Sequence, residues 1–135
     1  MANQYFRQFP GYKEPGAVEL FARITFGASG APTLVASQSK GVSSVTRNST
    51  GNYTLVLNDK YVSLLMLGYM WDESANGPGT FPLAPFVTIE AYSVGATGGG
   101  SITFRTGNLA AGAVADPAST EAVFLRITLK NSTAY

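Results

Sequence analysis

Residues 41–67 read GVSSVTRNSTGNYTLVLNDKYVSLLML, and this stretch decides the fold class. Asn48, Ser49, Thr50, Gly51 and Asn52 make a turn cluster, because Gly and Asn accept positive φ at little steric cost. After the turn the side chains alternate. Tyr53, Leu55 and Leu57 go to one face while Thr54, Val56 and Asn58 go to the other, which is the period of a half-buried β-strand. Residues 42–47 supply the partner strand of a hairpin, and the slip in parity between Val42 and Val45 predicts a β-bulge. Asn58-Asp59-Lys60 then reverses the chain into 61–67, which is apolar at both parities and is therefore expected to lie centrally in a sheet.

Working outward, residues 18–26 alternate with Val18, Leu20, Ala22, Ile24 and Phe26 inward against Glu19, Arg23 and Thr25 outward, Phe21 being the exception. A turn at 27–32 leads to a short strand at 33–36. The apolar strand after Lys60 runs on through Tyr69, Met70 and Trp71 into a long loop at 72–85, rich in Pro and Gly, and loops of that length in a small domain usually carry function. Residues 86–94 and 102–106 form a second hairpin around the glycine turn 95–100. A small-residue loop with room for one helical turn covers 107–117, and a last strand with Val123, Leu125, Ile127 and Leu129 inward covers 122–130. About eight short strands without an amphipathic helix predict an all-β fold, a single jelly-roll-like β-sandwich over 17–135, preceded by an extended N-terminal arm at 1–16.

The 135 residues, 45 % of them hydrophobic, suffice for one core without disulfides or metal. Only 13 % are charged, well below the roughly 25 % of ordinary soluble domains, so much of the surface is small, polar-neutral or apolar and suits burial against partners. A net charge of +1 without a basic stripe argues against nucleic acid as a ligand. With neither Cys nor His, there is no thiol nucleophile, no Ser-His-Asp triad and no Cys/His zinc site, and the expectation is a non-enzyme without cofactor or metal. No apolar run approaches a membrane span, and the N-terminus has no signal-peptide core, so neither membrane nor export is expected.

Several groupings invite chemistry and have plainer explanations. Residues 95–101, GATGGGS, look like a phosphate loop but lack its Lys and precede a strand, so a hairpin turn is expected. Asp72 or Glu73 could pair with Glu90 or Asp116 as a glycosidase acid and base, although any small domain offers such pairs. Three Asn-x-Ser/Thr triplets, at Asn48, Asn52 and Asn131, follow from the abundance of those residues. The arm, with Tyr5, Phe6, Arg7, Phe9 and Tyr12 along a segment broken by Pro10, Pro15 and Gly16, reads either as a disordered tail or a segment lying on its own domain, or as an anchor for a neighbour. Met70, Trp71, Phe81 and Phe86, in and beside the 72–85 loop, are the second set of interface candidates, and with Tyr69 the aromatics of this set could form a sugar platform.

Ser39-Lys40-Gly41-Val42-Ser43-Ser44-Val45-Thr46-Arg47, followed by Gly51-Asn52-Tyr53-Thr54-Leu55-Val56-Leu57-Asn58-Asp59-Lys60-Tyr61, resembles a passage in small virion proteins of tailed bacteriophages. The shared form is G-x-x-S-V-x-R, then G-x-Y-x-x-x-L-x-D-x-Y, and the likeness covers about residues 1–67. It is similar in particular to head-decoration, or cement, proteins. The resemblance implies a jelly-roll or sandwich clamped to the outer surface of the capsid after synthesis in the host cytoplasm, with the major capsid protein as partner and no catalytic residues. Low charge adds the expectation of self-association as a dimer or trimer. The alternative reading is a carbohydrate-binding β-sandwich using Trp71 and the 72–85 loop.

Overall fold

The computed structural model describes residues 16–72, 85–108 and 112–131. The strands are β1 (Ala17–Phe26), β2 (Pro32–Leu34), β3 (Val42–Ser49), β4 (Asn52–Leu57), β5 (Ser63–Asp72), β6 (Pro85–Ser93), β7 (Ser101–Asn108), β8 (Ala113–Val114) and β9 (Ala122–Lys130). They form two packed antiparallel sheets, one in the order β2-β1-β9-β5 and the other β3-β4-β7-β6, with the two-residue β8 paired to β7. This is an all-β sandwich. The first and last long strands are neighbours in the middle of one sheet, and the chain crosses between sheets after β2, β4, β5 and β8, as in jelly-roll-like topologies.

Alternation builds the core. Leu20, Ala22, Ile24 and Phe26 of β1 and Val123, Leu125, Ile127 and Leu129 of β9 face Tyr53, Leu55 and Leu57 of β4 and Ile102 and Phe104 of β7, all buried. Where the two sheets meet, Phe26 packs edge-on against Tyr53 at 5.3 Å between ring centroids, and Tyr53 stacks on Phe104 at 5.6 Å. Phe21, out of step in hydropathy, is in step in geometry: it points outward with Glu19 and Arg23. The expected bulge lies between Val42 and Ser44, and residues 95–100 turn the β6–β7 hairpin, with Gly98 and Gly99 at positive φ.

Several expectations need correction. β5 is not central: it is an edge strand whose only ladder among the described residues is with β9. Asn58-Asp59-Lys60 does not close a hairpin either. It carries the chain from the β4 sheet to the β1 sheet, a crossing secured by Tyr61 N–H donating to Val94 O at 2.7 Å and Val62 N–H to Lys130 O at 2.7 Å. The strand expected at 33–36 ends at Leu34, and Ala36–Gln38 is a 3-10 turn. Within 107–117 the described residues hold the short strand β8, and 109–111, within the stretch given room for a helical turn, lie outside the described residues. The arm begins before the described residues, and Tyr5, Phe6, Arg7, Phe9, Tyr12 and Phe81 lie outside them.

One polar cluster ties the sheets together at the β2–β3 side. Asp116, after β8, accepts Arg47 Nε at 3.0 Å and Arg47 Nη2 at 2.7 Å, and Gly51 N–H at 2.7 Å. The Tyr53 hydroxyl lies 2.9 Å from Gly30 O and 3.1 Å from Asp116 Oδ1, its one proton shared between two acceptors. Arg47 is the first cause that holds the Asp116 carboxyl below its ordinary pKa, while burial, with Asp116 adding to it, pushes the Tyr53 hydroxyl well up. Gly30 sits at φ 71°, and a Cβ there would lie 2.6 Å from Asp116 and 2.7 Å from the Tyr53 oxygen, so only glycine fits.

Candidate docking face

The register of the β1 sheet places its outward side chains in rows. Phe21 lies beside Arg126, which lies beside Gly68; Arg23, Phe124 and Met70 form the next row; Glu19, Thr128 and Met66 form the row on the other side. Apolar side chains surround the central Arg126 on this face. Phe21 is 45 % exposed, Met66 56 % and Met70 66 %. Between them a groove of about 520 Å³ runs over Gly68, lined by Phe21, Met66, Met70, Phe124 and Arg126. Gly68 is its floor because no side chain stands there. Among the described residues a Cβ at Gly68 would meet only Arg126 O at 4.0 Å, and the residue is not at positive φ, so nothing among them requires glycine at this position. Mid-strand glycines without an internal reason often mark the close approach of another molecule.

The charges in and around the groove are paired. Arg23 donates to Asp72 Oδ2 at 2.9 Å and to Gln38 Oε1 at 2.6 Å, with its guanidinium 4.9 Å from the centre of the Phe124 ring. Arg126 pairs with Glu19. Both cations are paired with a carboxylate, so covering the groove strands neither charge without a partner, and the desolvation cost falls on Arg126, whose side chain is 54 % exposed. Met66 and Met70 add adaptability, since an unbranched thioether shapes itself to an uneven partner surface.

The opposite outer face, on the β4 sheet, is polar. Asn48 donates to Asn52 Oδ1 at 2.8 Å and to Thr54 Oγ1 at 2.7 Å, and the Thr54 and Thr103 hydroxyls are 3.2 Å apart. Glu90 accepts from Asn52 and from Arg105, and Arg105 is the larger cause of its lowered pKa. Asp72 and Glu90 thus sit on opposite outer faces, and Asp116 belongs to the Arg47 cluster, so the structure does not bring these carboxylates together; Glu73 is outside the described residues. Among the described residues no three His, Cys, Asp or Glu side chains gather as metal ligands do.

Of the described interface candidates, Met70 stands in the groove. Trp71 pairs with Val123, shares its inward parity and lies 6.0 Å from Phe26 on the core, while Phe86 is half-buried with its ring against the Gly107 backbone. Phe21, Met66, Gly68 and Phe124 were missed. The available signal was Phe21, an apolar residue at an outward parity of a cleanly alternating strand. No family model matches the chain, and no curated protein and no solved structure matches it.

Proposed function

We propose that this protein is a structural docking protein of a phage head, a decoration or cement protein that lays the outer face of its β1 sheet on the major capsid protein at the outside of the shell. The observation that carries the reading is the apolar groove over Gly68, exposed on a chain whose charged residues are few and, around the groove, paired with one another. Exposed contiguous apolar surface of this kind serves interaction sites. Full burial of each of Phe21, Met66 and Met70 contributes on the order of 1 to 2 kcal/mol, weak for one contact and strong when many copies bind a lattice of repeated sites. The sequence likeness at 39–61 to cement proteins supplies the kind of partner. For the carbohydrate reading, Trp71 supplies no exposed platform, since its ring packs toward Phe26.

The test is occupancy on purified capsids that lack the protein. Gly68→Leu, which fills the groove, and Phe21→Lys, which places a charge on it, should both fold and both lose at least about tenfold in binding. Wild-type occupancy by both folded variants would remove the proposed face. Undecorated capsids as heat-resistant as decorated ones would remove the cement role.

A further inference from the structure

The two long sides of the sandwich end differently. On one side β1 is covered by β2 and by the crossing segment at 35–40, where Phe21 N–H donates to Lys40 O at 3.2 Å and Lys40 N–H to Phe21 O at 2.7 Å. On the other side β5 and β6 touch across the sandwich, and inward-parity side chains at the two edges are exposed, with no further strand among the described residues covering them. Tyr69 faces the same way as Leu125 yet is 45 % exposed, and Tyr92 faces the same way as Ile102 yet is 56 % exposed; Leu65, at the β5 bulge, and Ile89 share that side. From 63 to 71 β5 carries no charge, no proline and a single bulge. That is the long, apolar edge that solitary proteins avoid.

We infer that this side is closed by a second copy of the chain, β5 pairing antiparallel with β5 of its partner about a two-fold axis to make one continuous eight-stranded sheet. An antiparallel pairing of a strand with itself is the isologous contact that closes, and β5 brings no like charges opposite each other when so paired. Leu65, Tyr69, Ile89 and Tyr92 present on the order of 400 Å² of side chain per copy, so a two-fold covers roughly 800 Å² of side chain, and the backbone buried by the new ladder adds to that toward the roughly 1,000 Å² of a specific interface. The pairing also joins the two Gly68 grooves into one apolar platform. It goes beyond the capsid reading and is measured without capsids, so either can fail alone.

Sedimentation equilibrium on the full chain is the experiment. Wild type should be a dimer at about 100 µM, and Tyr69→Lys with Tyr92→Lys should weaken association at least about 100-fold while circular dichroism still reports a folded β protein. Leu65→Lys should act in the same direction. Ser44→Lys, on the polar edge strand β3, should leave the dimer intact. A monomeric wild type at that concentration, or a dimer broken by Ser44→Lys and untouched by the Tyr variants, would overturn the proposal.

Discussion

The β2–β3 side and the β5–β6 side of this sandwich solve one problem in opposite ways. Both end a sheet. At the first, the chain supplies its own cover: β2, the 35–40 segment, a β3 with two bulges and polar side chains, and the Arg47–Asp116–Tyr53 cluster that stitches turns from both sheets. At the second, Leu65, Tyr69, Ile89 and Tyr92 are exposed beside a strand that carries no charge from 63 to 71. The difference teaches where stability and association reside. Bulges and polar bonds protect an edge at the expense of its ability to pair, whereas an apolar, nearly regular edge keeps that ability.

Substitutions should divide along the same line. The largest expected effect is at Gly30, where Gly30→Val forces a branched side chain into a left-handed backbone and into Asp116; destabilisation of roughly 3 to 5 kcal/mol, read by urea unfolding, is expected. Asp116→Asn comes next. It keeps the shape and loses the charge, at a cost of about 1 to 3 kcal/mol near neutral pH. Because the folded-state pKa of Asp116 is depressed, its stabilisation is complete above the unfolded value of about 3.9 and is lost as pH falls through the folded value. The gap between wild type and Asp116→Asn should therefore narrow below about pH 4, and a constant gap from pH 7 to pH 3 would contradict this account of the cluster.

The smallest effect belongs to the open half of the molecule. Gly68→Ala meets only Arg126 O at 4.0 Å, in a backbone that alanine adopts freely, so it should be neutral or stabilising by up to about 1 kcal/mol. Two glycines, Gly30 required by the fold and Gly68 not required by the described residues, thus separate a structural position from a proposed interaction position. Should Gly68→Ala cost as much as Gly30→Val, the groove floor is structural after all.

The strands were legible where one face is buried and the other wet. β1, β4 and β9 alternate because Leu20, Leu55 and Ile127 have a core on one side only, and the period of two records it. β5 was misplaced for a physical reason. A strand buried on both faces by its own domain and an edge strand left apolar for a partner have the same composition, and hydropathy alone cannot separate them. Parity separates the two faces of β5: beyond the bulge at Leu65, Leu67, Tyr69 and Trp71 alternate with Met66, Gly68 and Met70, and this turns Trp71 inward and Met70 outward. The Asp116 cluster had no such signal. Gly51 and Arg47 stand 65 and 69 residues from Asp116 and are joined to it only when the chain folds.

The central contrast between a self-covered side and a side left for a partner is tested most directly by amide hydrogen exchange on the wild-type protein across a dilution series. The account predicts that β5 amides become more protected as concentration rises, with alternate residues along Ser63–Asp72 responding, while β3 amides along Val42–Ser49 stay constant. Exchange on β5 that is independent of concentration, or a concentration-dependent rise on β3 instead, would contradict it.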